Sequence, residues 1–277
     1  MAAVTARASD SQPICHHHHH HHHHYPHQRV LATDNGGYSA LLRLLEGEEE
    51  EVQREVLVTL TSVMEGNPDL LEAQGVEAMW RLASSPALAP HLLDWMLVTL
   101  VRHEGNRQAV MARPGLVGHT AALLEEAGDT EVTLRVCRLW VQLVQDDDVR
   151  VPFGKAHDHA RELVETHGAL TLLTKALAAH QEEGRVAGPC LLALASLALR
   201  DEYCQQVVDE GGLQVVLDIL GQETSEPEVV TRALVLLKVT TPHLTSPTTC
   251  CTSHLGPPPY RPGSVRACAS QCAEAQA

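Results

Sequence analysis

Nine consecutive histidines, His16 to His24, are the densest run of metal-ligating side chains in the chain. Imidazole nitrogens of any such run bind transition metals, so one reading is metal storage or buffering; the other is a low-complexity insertion or an expression tag. Cys250, Cys251, His254, Cys268 and Cys272 crowd the C-terminal end. They could ligate zinc, but adjacent cysteines and irregular spacing do not make a paired Cys-x-x-Cys module. His157, Asp158 and His159, with His167 eight residues on, form the best polar cluster away from the ends. On a helix, His157 and His159 would point to different sides, so only an extended loop would aim both at one ion. There is no Gly-rich phosphate loop, dinucleotide fingerprint or Gly-x-Ser-x-Gly elbow. The expectation is a chain without catalytic residues, cofactor or dedicated metal site.

The composition narrows the class. The 277 residues carry 20 Lys+Arg against 35 Asp+Glu, a net charge of −15 with histidine neutral. Clustered cations drive nucleic-acid and anionic-membrane binding, so neither partner is expected. Hydrophobic residues make up 44% of the chain and aromatic ones 3%, a balance that favours helices packed by aliphatic side chains over a β-sandwich. No stretch approaches the roughly 20 apolar residues that span a bilayer. Met1 to Gln12 contain no apolar signal core, so no secretory signal is expected, and the eight cysteines lack the spacing of a secreted disulfide scaffold. A reducing compartment, cytoplasm or nucleus, is the expected location.

One pattern recurs along the chain. A Gly closes a short helical segment; an apolar helix, a polar loop and a longer amphipathic helix follow. The glycines are Gly37, Gly75, Gly115, Gly168 and Gly212, spaced by 38, 40, 53 and 44 residues. Each is expected at the C′ position of the short helix, where left-handed φ favours glycine. Asn67 and Asn106 are expected where one helix ends and the next is capped, with Pro68 at a first helical position. The long spacing comes from residues 146–160, an insertion that breaks the period. The longer helices are expected over 51–64, 91–103, 131–144, 190–199 and 228–239. Residues 242–277 are rich in Pro, Ser, Thr and Cys and lack apolar period, so they read as disordered, as do residues 1–28.

The segments GNPDLLEAQGVEAMWRLA (66–83), GNRQAVMARPGL (105–116) and YCQQVVDEGGLQVVLDIL (203–220) carry a family likeness. A unit of about 40 residues with one short and two longer helices resembles the armadillo repeat. The resemblance covers roughly residues 29–241. It implies an all-α, right-handed superhelical solenoid of about five repeats with disordered termini. It also implies a concave groove lined by the third helix of each repeat, and no assigned enzymatic chemistry. Stacked repeats bury one another's apolar faces and leave a curved surface for a partner.

The expected exposed faces of those third helices include Arg54, Asp94, Trp95, Arg102, Arg135, Arg138 and Gln142. Arg135 and Arg138, one turn apart, could hold a carboxylate bidentately; alternatively they belong to a solvated helix face with intrahelical pairs such as Glu131–Arg135. Nuclear-import receptors of this superfamily present Trp-x-x-x-Asn on successive third helices. Here Trp95 is followed four residues on by Thr99 and Trp140 by Val144, so that cargo class is disfavoured. Trp80 and Trp140 are expected in the core.

The expected function is therefore a non-catalytic protein-interaction scaffold that binds a partner segment in the groove. Self-association through the last repeat is also expected, because Leu234, Leu236, Leu237 and Val239 would leave an apolar end. The alternatives are a metal-binding protein acting through the His run and the Cys-rich tail, and a truncated fragment without independent function.

Overall fold

A computed structural model describes residues 36–47, 49–126, 129–147, 158–222 and 226–241. The His run, most of the insertion and the C-terminal tail lie outside the described residues. Every regular element among the described residues is helical. The first repeat begins with α1 (Gly37–Leu44) and α2 (Glu50–Met64). A short 3-10 turn, Pro68–Leu70, leads into α3 (Ala73–Leu82), and another, Pro86–Leu88, into α4 (Ala89–Leu100). The third repeat is α5 (Glu104–Ala112), α6 (Leu116–Glu126) and α7 (Thr130–Leu143). The fourth is α8 (Asp158–Arg161, continued by a π-helical turn Glu162–Thr166), α9 (Ala169–Ala179) and α10 (Gly184–Leu197). The fifth is α11 (Asp201–Asp209), α12 (Gly212–Gly221) and α13 (Pro227–Thr240).

Two layers follow from this order. The third helices α2, α4, α7, α10 and α13 stack in succession, each packed on the next. The second helices α1, α3, α6, α9 and α12 pack on the third helices of their own repeats. Between the layers runs one continuous aliphatic core, from Tyr38 and Leu42 at one end to Ala233 and Leu236 at the other. In α2 the buried residues are Val56, Leu57, Leu60 and Met64, one stripe at helical spacing, while Glu50 and Glu51 place negative charge at the positive end of the helix dipole. In α7 the Asp129 carboxylate accepts from the backbone N–H groups of Glu131 (2.7 Å) and Val132 (3.4 Å), capping the helix start.

Local details differ from the sequence expectations for identifiable reasons. Left-handed φ occurs at Gly36, Gly115, Gly168 and Gly211, so two of the expected turn glycines are displaced by one residue. Gly75 makes no turn. It lies inside α3, where a Cβ would stand 2.3 Å from the Tyr38 hydroxyl and 2.7 Å from Leu71 Cδ1; glycine there permits close approach of repeats 1 and 2. The helix α10 begins at Gly184 rather than near 190 and carries Pro189 within it. Pro189 forfeits one main-chain hydrogen bond, but the turn before it is buried among neighbouring helices, with Val186, Ala187 and Gly188 all enclosed. The helix α4 stops at Leu100, because Val101 is extended in ψ and Arg102 takes φ 58°.

The two asparagines fasten rather than cap. Asn67 Nδ2 donates to Val63 O (3.0 Å) and closes the end of α2. Asn106 Nδ2 donates to Thr99 O (2.8 Å) and Pro68 O (2.7 Å), tying repeat 3 to repeat 2, while His103 Nδ1 accepts from Asn106 N and caps α5. Beside it the buried Arg107 donates to both carboxylate oxygens of Asp146 at 2.5 Å and to Leu100 O at 2.7 Å.

Candidate partner-binding groove

The stack of third helices repeats its geometry, so equivalent positions line up across it. Counted from the first residue of each helix, position nine is Leu97 in α4, Arg138 in α7, Leu192 in α10 and Val235 in α13. The first three line a groove of about 530 Å³ that spans α4 to α13. Val101, Val141, Pro189 and Val229 extend its apolar lining, and Gln142, Arg185, Glu226, Glu228 and Arg232 its polar one. The close approach of α13 to α10 has a simple cause. Gly184 and Gly188 carry no side chain, and a Cβ at Gly188 would stand 2.9 Å from Arg232 Nη1. Bare backbone there lets the α13 side chains lie against α10.

The charges on this face are mostly paired. Arg135 Nε donates to Asp94 Oδ1 (2.8 Å) and Arg135 Nη1 to Glu131 Oε2 (2.6 Å). Glu131 also pairs with Arg185. Asp94, Arg135, Glu131 and Arg185 thus form a ladder from α4 through α7 to α10. Arg232 pairs with Glu228. Arg138 is exposed and has no ion-pair partner among the described residues. Gln142, one turn further along α7, has a buried side-chain oxygen without a hydrogen-bond partner among the described residues.

Five of the seven residues read from the sequence therefore change role or place. Trp95 is corrected outright: it is 0% exposed and belongs to the core, because its position on α4 faces the neighbouring helices rather than the groove. Arg135 and Asp94 are joined to each other, so the pincer of Arg135 and Arg138 does not form. Arg102 is in the turn after α4, where its backbone is left-handed. Arg54 pairs with Glu50 (2.9 Å) and Glu51 within α2 and does not line the groove. Arg138 and Gln142 do line it. Sequence reasoning passed over Leu97, Val101, Val141 and Leu192, which look like core residues when exposure is judged by type.

The tryptophans divide as follows. Trp140 is fully buried and its indole N–H donates to Thr120 Oγ1 (2.9 Å). Trp80 is half-buried, with the Arg113 guanidinium 4.1 Å from its ring centroid. Directly behind the groove, Cys137 of α7 and Cys190 of α10 meet in the core with sulfurs 3.3 Å apart. The contact with Cys190 and burial push the Cys137 thiol well above its ordinary range.

His159 Nδ1 is 2.8 Å from Leu143 O, and His167 faces Glu162 at 3.5 Å; the two histidines serve different contacts. His157 lies outside the described residues. No group of three His, Cys, Asp or Glu side chains among the described residues is placed to hold a metal ion. No helix among them is long and apolar enough to cross a membrane.

This architecture defines the class: the chain is an armadillo-repeat protein. In sequence it is similar to armadillo repeat-containing protein 6. It is 30% identical to the human protein over 199 residues, covering 69% of this chain and 40% of the relative. It is 29% identical to the protein of Pongo abelii over 225 residues, covering 76% of this chain and 45% of the relative. It is 32% identical to the Drosophila melanogaster homolog over 225 residues, covering 76% of this chain and 46% of the relative. The chain thus spans less than half the length of these relatives. No protein-family profile matches it. Among solved structures, a designed armadillo repeat protein in complex with the peptide (KR)4 superimposes with a TM-score of 0.64 at 20% identity, covering 78% of this chain and 86% of that one. An engineered protein superimposes with a TM-score of 0.64 at 22% identity, covering 78% and 83%.

Proposed function

We propose that the chain is a non-catalytic interaction scaffold that holds a segment of a partner protein along the face made by α4, α7, α10 and α13. One observation carries this reading: four consecutive third helices contribute side chains to a single open groove with an apolar floor and polar walls. A pocket confined to one repeat would suit a small molecule; a trough that crosses four suits a polypeptide. The designed armadillo protein seen with a peptide supports the reading by architecture. The three described cysteines are free thiols, in keeping with a cytoplasmic or nuclear setting.

Site-specific photo-cross-linking tests the proposal. A photoreactive residue at Leu192, inside the groove, is expected to trap partner polypeptide in cells. The same residue at Gln108, exposed on α5 and outside the groove, is expected to trap none of it. Equal trapping from both positions, or none from Leu192, would count against the groove.

A second contact is supported at the far side of repeat 5. Leu234 is 52% exposed, yet its counterpart at position eight of α10, Leu191, is fully buried by α13. Leu217 on α12 is exposed as well. Of Leu234, Leu236, Leu237 and Val239, from which the sequence predicts this contact, Leu236 is 1% exposed and belongs to the core, which leaves Leu234 as the exposed part; its burial by a second copy of the chain is the proposed self-association.

A further inference from the structure

We infer that the groove selects an extended partner segment with a single acidic residue flanked on both sides by apolar ones, and that Arg138 holds the acidic side chain. This deepens the scaffold reading and rests on it.

The argument begins with the row of side chains at position nine. Leu97, Arg138 and Leu192 line the groove in successive repeats, so a cation stands between two leucines. Arg54, Arg135, Arg185 and Arg232 have carboxylate partners within the molecule. Arg138 has none among the described residues, although the chain carries a net charge of −15. A guanidinium left unpaired beside apolar surface presents a planar fork of donors suited to a carboxylate. Gln142, one turn along α7, lines the groove beside it and adds polar surface next to the guanidinium. The repeat-5 end of the groove is lined by Glu226 and Glu228. Glu228 is paired with Arg232, so Glu226 is what disfavours an acidic run there and places the acidic residue at repeat 3.

Spacing sets the pattern. Packed helices lie about 8–10 Å apart. A segment in polyproline II geometry advances about 9 Å per three-residue turn. One bound side chain per repeat therefore corresponds to apolar residues about three positions before and after the acidic one. The leucines and Val101, Val141 take the apolar side chains; Arg138 takes the carboxylate.

The test selects a random dodecapeptide library displayed on phage against the full chain. The consensus peptide is then synthesised with a fluorescent label and titrated by anisotropy. The expected consensus holds one Asp or Glu between apolar residues. Arg138→Glu is expected to weaken binding about tenfold or more, as loss of a charge-assisted pair does, and a peptide with Lys in place of its acidic residue is expected to recover binding to that variant. Arg138→Gln, milder for folding, is expected to show the same loss without the recovery. Circular dichroism melts check that both variants keep the native transition. A basic or purely apolar consensus overturns the inference. So does binding that Leu192→Arg abolishes but Arg138→Glu leaves unchanged, an outcome that leaves the groove itself standing. Selection of no peptide, or binding indifferent to Leu192→Arg and Arg138→Glu alike, overturns both the inference and the groove.

Discussion

At the scale of single residues, side-chain type and burial part company in both directions. Trp95 has a polar edge and sits on a third helix, yet it is 0% exposed and its indole N–H has no hydrogen-bond partner among the described residues. Its contribution is apolar volume. Trp95→Ala is expected to destabilise the fold by about 3–5 kcal/mol, the range for large aromatic truncations in a packed core. Urea unfolding checks this; a loss under about 1 kcal/mol would show that the surroundings collapse around the missing ring. Leu192 departs in the other direction: a large apolar residue on α10 that is 36% exposed and lines the groove. From the sequence, Arg135 and Arg138 look like twins. The structure separates them by where α4 passes: Asp94 reaches Arg135, and nothing described reaches Arg138.

At the scale of elements, the third helices are joined by apolar packing and by the ladder from Asp94 to Arg185. Exposed ion pairs contribute about 0–1 kcal/mol each, and Asp94 and Arg135 are only half-buried. A double-mutant cycle of Asp94→Ala and Arg135→Ala is expected to give a coupling of about 0.5–1 kcal/mol that shrinks in high salt. A coupling of zero at low salt would assign all the cohesion of α4 and α7 to their aliphatic contacts. The element positions were largely legible in advance, because amphipathic period and loop residues act locally. Their ends were less so. The start of α10 at Gly184 and the left-handed turns at Gly36 and Gly211 depend on which of two adjacent glycines, or which side of a proline, the packed neighbours accommodate.

At the scale of the whole molecule, five repeats share one core, and stability is expected to be spread along the stack rather than concentrated in a centre. Leu234, 52% exposed on α13, gives a direct prediction. Sedimentation equilibrium is expected to show concentration-dependent association of the chain, and Leu234→Glu is expected to weaken it without lowering the melting temperature. A monomer at all concentrations would remove this face as a contact. The groove is a property of the same scale. It exists because equivalent positions of α4, α7 and α10 face one way beside α13, and its polarity is set by substitutions at single positions within that repeat.

The sequence by itself determined the class of architecture: period, apolar spacing and loop residues act within some forty residues, so the repeat and the order of its helices are written locally. It also determined that Arg138 and Gln142 lie on a third helix. Only the tertiary structure decided which arginine is committed to a carboxylate, which tryptophan is enclosed, and why Gly75 is a glycine. Those outcomes depend on side chains some forty positions away, such as Asp94 beside Arg135 and Tyr38 against Gly75. No local pattern encodes a distance between residues that meet only when one repeat is laid against the next.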